Sequence, residues 1–495
     1  MVFANFIAYV QNFFDSKRKS TVVLLIFLAP LFFLNINDNH NWGDDFAQYL
    51  KQALNIVQGK NFSDSNYIYN PDAKGYAPPF YPPAYSLVLV PIVKFFGLQY
   101  TYLSYYNTLI LVLLSIVVFL FFLKQQVHIF WSFILTLAFA YNPQTLDMKI
   151  SCLSEITSTL FFMLYMLLRS NKKLYLLGAL FASLAVFSRS VFLIIFVYEV
   201  ILCLFLFIRK KEDDWKQRVY FLIAFATIYL ILKWVFYPHM QSSDIQEYAS
   251  VMKFDEEIGF RFTTYLESLR GFLDFGLPNT LRWIMIWCES FFLFIVITSM
   301  FYRTIKVRED FDILLVLNFF IISMYYYPQG IRYLYPFLPF FIYYFYLGIQ
   351  YCSNVVIAPI NKTFGIAIVL CTLVFFYKYR IGQSVVRNRI TGVADVAAQQ
   401  MFQYINQHYS KQDVFCFMKP RALALYTHVK TLHYPWALQN DEDVKLNFKK
   451  FHVTQVMITF DQKDVLSDFI KRNESEFESP TKVEYFLIYP LKKRA

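Results

Sequence analysis

The chain has 495 residues and a net charge of +11; 57% of its residues are apolar, 21% aromatic and only 16% charged. Soluble domains carry about 25% charged residues. Here the apolar residues come in runs of about 15–25, which excludes an ordinary soluble domain and indicates a polytopic helical membrane protein. The basic excess lies in short segments between those runs, as orientation signals do, so a nucleic-acid partner is set aside.

In chain order, residues 3–14 (FANFIAYVQNFF) read as a short interfacial helix. Lys17, Arg18 and Lys19 then precede the first apolar run. No small-residue cleavage site follows that run, so it is expected to stay as an anchor. Apolar runs fall near 21–35, 102–123, 128–141, 153–168, 174–188, 191–208, 219–237, 281–301, 311–327, 331–350 and 363–378, giving about eleven crossings. With a cytoplasmic N-terminus, basic residues mark nearly every cytoplasmic segment: 17–19, Lys124, 169–173, 209–218, 303–310 and Lys362. The opposite side receives 36–101, 142–152, 238–280 and everything after about 380.

Within 36–101, Phe46, Leu50, Ala53, Leu54 and Val57 recur at helical spacing, so 44–57 reads as an amphipathic helix on the membrane surface. The Pro-interrupted stretch 83–97 reads as a second interfacial or partly inserted helix. The loop 238–280 mixes aromatics with charges, as a lid would. After 382 the composition changes. Short strands at 414–418, 453–460 and 485–490 alternate with helical patterns at 393–408, 420–427, 441–451 and 463–471. The expectation is an all-α polytopic membrane protein over 1–382, with outer loop 36–101, followed by a small extracytoplasmic α/β domain over 383–495. The expected location is the bacterial inner (plasma) membrane.

Cys152, Cys203, Cys288, Cys352, Cys371 and Cys416 form no CxxC pair, so neither a metal site nor a disulfide framework is expected. His40 and His239 face outward, but two isolated histidines are weak evidence for a metal. No cofactor is called for by these residues, and a divalent metal stays open.

Asp44 and Asp45 follow the first apolar run directly. One Asp at a helix start is an N-cap. Two at a membrane surface repel each other, and desolvation raises the pKa of one, which suits a general base. The residues alone leave both readings open. Glu155 stands at the outer mouth of an apolar run, where an acid is costly; it either pairs with Lys149, snorkels to the surface or serves function. Arg189 and Arg332 lie outward against the usual charge bias. A phosphate at headgroup depth would pair with them; plain lipid-headgroup contact is the alternative.

Asp44-Asp45, then Tyr49 and Gly59, then YPPAYSLVLVPIVKFFG at 81–97, resemble the first outer loop of GT-C glycosyltransferases, nearest to the protein O-mannosyltransferase and aminoarabinose transferase families. That pattern is an Asp with a following acid, a Gly about fifteen positions on, Pro-Pro-x-Tyr (here Pro82-Pro83-Ala84-Tyr85), then Phe-Gly (Phe96-Gly97). LSEITSTLFF, GALFASLAVFSRS and RYLYPFLPF resemble later landmarks in the same order, and the resemblance covers roughly 20–380. It implies an inverting transfer of sugar from a polyprenyl-phosphate donor to a lipid, protein or glycan acceptor. Asp44 would match the catalytic Asp, with Asp45 and Glu155 supporting it, and Arg189 would match a basic residue holding the lipid phosphate. In the aminoarabinose transferases a Lys precedes Pro-Pro; here that position is Tyr81, so phosphate binding would rest on Arg189, Arg332 or Lys74. Tyr81, Tyr85 and Tyr333 are the candidates for positioning acceptor or sugar. The rival is a transporter or flippase of a lipid-linked sugar, which should show paired broken helices in two related halves; no such repeat is evident.

Overall fold

A computed structural model describes residues 17–73, 78, 80–236, 255–273, 282–306, 310–325, 329–356, 392–438, 440–459 and 465–492. The expected interfacial helix at 3–14 and the eleventh apolar run at 363–378 lie outside these residues, as does most of the loop 238–280. The chain groups into two compact units: one drawn from Met1–Ile36 and Ser104–Asn388, the other from Asn37–Leu103 and Arg389–Ala495.

The first unit is helical. Among the described residues, three helices are long and apolar enough to cross a membrane: Tyr100–Lys124, Ser190–Ile208 and Glu212–Phe236. A fourth crossing is available if Pro143–Ile150 and Glu155–Leu168 act as one span, although they bend by 116° at their break. Other apolar runs form shorter helices, such as Ile129–Ala140 and Tyr175–Val186, of 12 residues each. At 1.5 Å per residue these reach roughly 18 Å, short of the ~30 Å hydrocarbon core. Glu212–Phe236 presents Tyr220, Ile223, Leu230, Ile231 and Trp234 outward and buries only Arg218, Phe221 and Phe225. An apolar surface of that extent suits lipid.

Several basic residues of this unit act as clamps. Lys124 Nζ donates to the carbonyls of Met166 (3.1 Å) and Leu167 (2.8 Å), closing the C-terminal end of the helix Glu155–Leu168. Glu199 is fully buried and accepts from Arg218 Nη1 at 3.1 Å and from the Tyr165 hydroxyl; Arg169 stands 3.7 Å away. This ties Glu155–Leu168, Ile194–Ile208 and Glu212–Phe236 together with paired rather than lone charges.

The second unit is built on a six-stranded sheet of order β1-β3-β2-β4-β6-β5. The strands are β1 (Tyr67–Ile68), β2 (Val414–Cys416), β3 (Lys430–Leu432), β4 (Gln455–Thr459), β5 (Thr481–Val483) and β6 (Phe486–Pro490). β1, β3, β2 and β4 run parallel; β6 and β5 close the far edge antiparallel. β2 is buried at every position, as a parallel strand covered on both faces should be. Helices Pro420–Tyr426, Asp441–Lys450 and Val465–Arg472 connect the strands, near the positions that the alternating pattern gives. Val414, Cys416, Leu432, Val456, Leu466 and Phe469 lie in its core.

β1 comes from the segment 36–101 and pairs Tyr67 with Thr431 and Ile68 with Leu432. That segment also supplies the amphipathic helix Asp45–Val57 and the helix Pro83–Phe96. The first buries Phe46, Tyr49, Leu50 and Ala53 and runs out before Gly59, whose positive φ (66°) favours glycine. The second starts with Pro at its first position, where the missing N–H costs nothing, and ends at Gly97 with φ 63°.

Candidate functional site: two carboxylate–arginine clusters

In the second unit the acid pair sits where the helix Asp45–Val57 begins. Asp44 occupies the cap position, but its side chain makes no capping bond to that helix. Instead Asp44 Oδ1 accepts from the backbone N–H of Arg421 (3.0 Å) and Ala422 (3.2 Å), at the start of Pro420–Tyr426. It therefore caps a helix that begins 376 positions further along the chain (420 against 44). No described residue hydrogen-bonds its other oxygen, Oδ2.

Asp45 is held differently. The Tyr81 hydroxyl donates to Asp45 Oδ1 at 2.6 Å, and Arg421 Nη1 stands 3.5 Å from the same oxygen. Arg421 Nη1 also donates to the Tyr81 hydroxyl (2.8 Å), and Nη2 donates to the Pro78 carbonyl (2.5 Å). The guanidinium lies over the rings of Tyr81 (4.8 Å) and Tyr67 (5.2 Å), and Arg421 is only 2% exposed. Tyr81 is fixed from both sides. Gln52 bonds its backbone twice, through Nε2 to the carbonyl (2.8 Å) and from the N–H to Oε1 (3.3 Å), while Tyr49 stacks on its ring at 4.8 Å. Tyr85 meets Tyr49 edge-on at 5.0 Å.

Burial pushes the Asp44 carboxyl up to about 6, against the lowering pull of Arg421, the Ala422 N–H and Lys419; the neighbouring Asp45 adds the smallest upward push. The mutual repulsion expected from the sequence is thus a minor contributor beside desolvation. Burial also raises Tyr81 well above the usual phenol range, so it stays a hydrogen-bond donor to Asp45.

The first unit holds the other cluster, and every member comes from an interruption in the helices. Glu155 opens Glu155–Leu168 just after the break at Cys152, which adopts a positive φ of 45°. Arg189 is extended backbone between Tyr175–Val186 and the turn Ser190–Leu193. Arg332 lies in the single turn Ile331–Leu334, after Gly330 at φ 57°. Glu155 Oε1 receives Arg189 Nη1 at 2.7 Å and Arg332 Nε at 2.5 Å. Glu155 Oε2 is buried and has no hydrogen-bond partner among the described residues. Arg189 lies over the Tyr333 ring at 5.0 Å. Lys149 does not reach Glu155; its Nζ donates to the carbonyls of Leu31 (2.9 Å) and Leu34.

Six sequence candidates thus fall into two groups, Asp44, Asp45 and Tyr81 in one unit and Glu155, Arg189 and Arg332 in the other, with Tyr85 and Tyr333 beside them through aromatic contacts. Lys74 lies outside the described residues. Arg421 is absent from the sequence candidates; its only signal is a charge inside an otherwise apolar helix start, PRALALY. Among the described residues no three His, Cys, Asp or Glu side chains gather as a metal ion requires, and the acid pair is engaged by N–H and O–H donors.

No protein-family model matches the chain. No curated protein matches it either. Solved structures do. ArnT from Cupriavidus metallidurans bound to undecaprenyl phosphate matches at TM-score 0.60 and 10% identity, over 96% of this chain and 98% of that one. The Archaeoglobus fulgidus oligosaccharyltransferase tethered with an acceptor peptide matches at TM-score 0.57 and 11% identity, over 97% of this chain and 75% of that one. The A. fulgidus oligosaccharyltransferase AglB, with an inhibitory peptide and a dolichol-phosphate, matches at TM-score 0.57 and 11% identity, over 96% and 74%. Both proteins have the GT-C glycosyltransferase fold, and this chain shares it. The resemblance read from the outer-loop residues therefore holds at the level of fold.

Proposed function

We propose that the chain is an integral membrane glycosyltransferase of GT-C type. It moves a sugar from a polyprenyl-phosphate donor to a hydroxyl acceptor on the extracytoplasmic side, with inversion at the anomeric carbon. The observation that carries this reading is Asp44: one oxygen held by two backbone N–H groups, the other without a hydrogen-bond partner among the described residues, and a carboxyl that burial pushes up to about 6. A base poised there is ionised at neutral pH and strong enough to take a proton. The fold shared with ArnT and AglB supports a lipid-phosphate donor, since those structures were solved with undecaprenyl phosphate and dolichol-phosphate.

In the reaction, Asp44 takes the acceptor's hydroxyl proton. The oxygen attacks the anomeric carbon, and the carbon–oxygen bond to phosphate breaks with its electron pair leaving on polyprenyl phosphate. Arg189 and Arg332 are assigned to holding the donor's phosphate, which guanidinium groups bind in bidentate fashion. Tyr85 and Tyr333 are assigned to positioning sugar or acceptor. The same reading takes about eleven crossings, the 1–382 and 383–495 division, the bacterial inner membrane and an outward C-terminal segment as its topology.

The test is transfer from a panel of radiolabelled polyprenyl-phosphate sugars in liposomes, with wild type against Asp44→Asn. Label moving to an acceptor or to water with wild type alone supports the reading. Unimpaired transfer by Asp44→Asn removes Asp44 from the mechanism. Wild-type liposomes that move intact lipid-linked sugar across the bilayer, and transfer none, favour the flippase reading.

A further inference from the structure

The two adjacent carboxylates are treated in opposite ways by one residue. Arg421 reaches Asp45 with its guanidinium, directly at 3.5 Å and through the Tyr81 hydroxyl (2.8 Å, then 2.6 Å). It reaches Asp44 with its backbone N–H at 3.0 Å. The guanidinium is locked in place by the Pro78 carbonyl and by the Tyr67 and Tyr81 rings. We propose that Arg421, contributed by the C-terminal segment, is the positioning residue that divides the acid pair into two unlike groups: Asp45 committed to a cation, Asp44 held open for a proton.

The inference deepens the proposed function and rests on it for the base role of Asp44, but the division itself is a property of the folded chain. Two carboxylates in one place do work as acid and base only when their surroundings push them apart. The groups facing the pair include Tyr81 ahead of Pro83–Phe96, and Lys419 and Arg421 at the start of Pro420–Tyr426, while Tyr67 on β1 lies against the guanidinium. Of these, Arg421 alone contacts both carboxylates. Its guanidinium is second only to burial in setting Asp44, and it acts downward. Removing it should let Asp44 rise.

The test uses the full-length protein in liposomes and dicyclohexylcarbodiimide, which attacks protonated carboxyls in apolar surroundings. Modification at Asp44 and Asp45 is localised by peptide mass spectrometry across a pH series. Wild type should label Asp44 with a midpoint near 6, and Asp45, which accepts from the Tyr81 hydroxyl and stands beside the Arg421 guanidinium, should label less than Asp44 throughout the series. In Arg421→Met the Asp44 midpoint should rise by about one unit, a tenfold gain in proton affinity, and Asp45 should label alongside it. Arg421→Lys should restore most of the wild-type order. Wild type labelling Asp45 ahead of Asp44, or Arg421→Met leaving both midpoints in place, would overturn the proposal; the first result needs no variant to fold. In the transfer assay the acidic limb of kcat/KM should move up with the midpoint. The loss then comes to about fivefold at pH 6 but about twofold at pH 7, with donor KM unchanged. A loss equal at every pH would reduce Arg421 to a structural part. Labelling reads the division with or without transfer, so a wild type that moves no sugar defeats the proposed function alone.

Discussion

The two clusters use the same side-chain chemistry with opposite charge balance. In the second unit one buried arginine serves two carboxylates, with Lys419 half-exposed at the margin. In the first, one buried carboxylate serves two arginines. A buried charge is costly unless paired, and the two acids meet that cost differently. Burial favours a proton on Asp44. Glu155 holds Arg189 and Arg332 together, while its Oε2 has no hydrogen-bond partner among the described residues.

The largest effect should come from the acid side. Asp44→Asn should lower kcat by about 10²–10⁴, the usual contribution of a positioned base. Asp45→Asn should cost about tenfold, because Asp45 is assigned to Arg421 and Tyr81 rather than to the acceptor. Equal losses in the two variants would break the distinction between the carboxylates.

On the cation side the expected effect is on stability. Glu155→Gln leaves two partly exposed guanidinium groups facing a neutral amide; a fully buried pair broken in this way costs about 3–5 kcal/mol, and the exposure of Arg189 (10%) and Arg332 (26%) should hold the loss below that. Arg332→Gln leaves a one-to-one pair with Arg189, so its unfolding temperature in detergent should stay near wild type while transfer falls. Arg332 is also the more exposed arginine, at 26% against 10% for Arg189. If Glu155→Gln melts as wild type does, the clamp account fails.

Much of this was legible as residue types and little as geometry. Asp44, Asp45, Glu155, Arg189 and Arg332 each stand out because a charge beside an apolar run has to be explained. That Glu155 meets both arginines was not legible, because the three sit at separate helix breaks 34 and 177 positions apart from Glu155. Arg421 was missed for the same reason: no local period links it to Asp45, which is 376 residues away. β1 was missed because two residues, Tyr67 and Ile68, give no alternation to read; their pairing is decided by β3. The helices after 392 and the strands β2, β4 and β6 were legible because each carries its own period or caps, such as Asn440 accepting from Glu442 N–H; β3 and β5, three residues each, were missed as β1 was.

A pH series sharpens the comparison with a smaller effect. The Asp44 carboxyl sits at about 6, above its ordinary 3.8. Below that value kcat/KM should fall about tenfold per unit as the base is protonated. Stability moves the other way. The folded state holds this proton more tightly than the unfolded chain, so the group's contribution to stability grows as pH falls from about 6 towards about 4. Activity and thermal stability changing in opposite directions across that window in wild type, with the stability gain absent from Asp44→Asn, which cannot bind the proton, would set this group apart from general acid unfolding.

The smallest effect belongs to Tyr81, the position where the resembled aminoarabinose transferases carry a lysine. Here its hydroxyl relays Arg421 to Asp45, donating at 2.6 Å and accepting at 2.8 Å, while its ring stacks on Tyr49 and its backbone is pinned by Gln52. Tyr81→Phe keeps the ring and the backbone bonds and removes only the relay. Arg421 Nη1 still stands 3.5 Å from Asp45 and should close that gap. The cost should therefore be that of one hydrogen bond to a charged group, about 1.5–3 kcal/mol if Arg421 stays put and less if it moves. Transfer should fall only a few-fold, because Asp44 keeps both of its backbone donors. A loss as deep as that of Asp44→Asn would mean that Tyr81 touches the reacting groups itself, and the line drawn between Asp44 and the Asp45–Tyr81–Arg421 group would have to be redrawn.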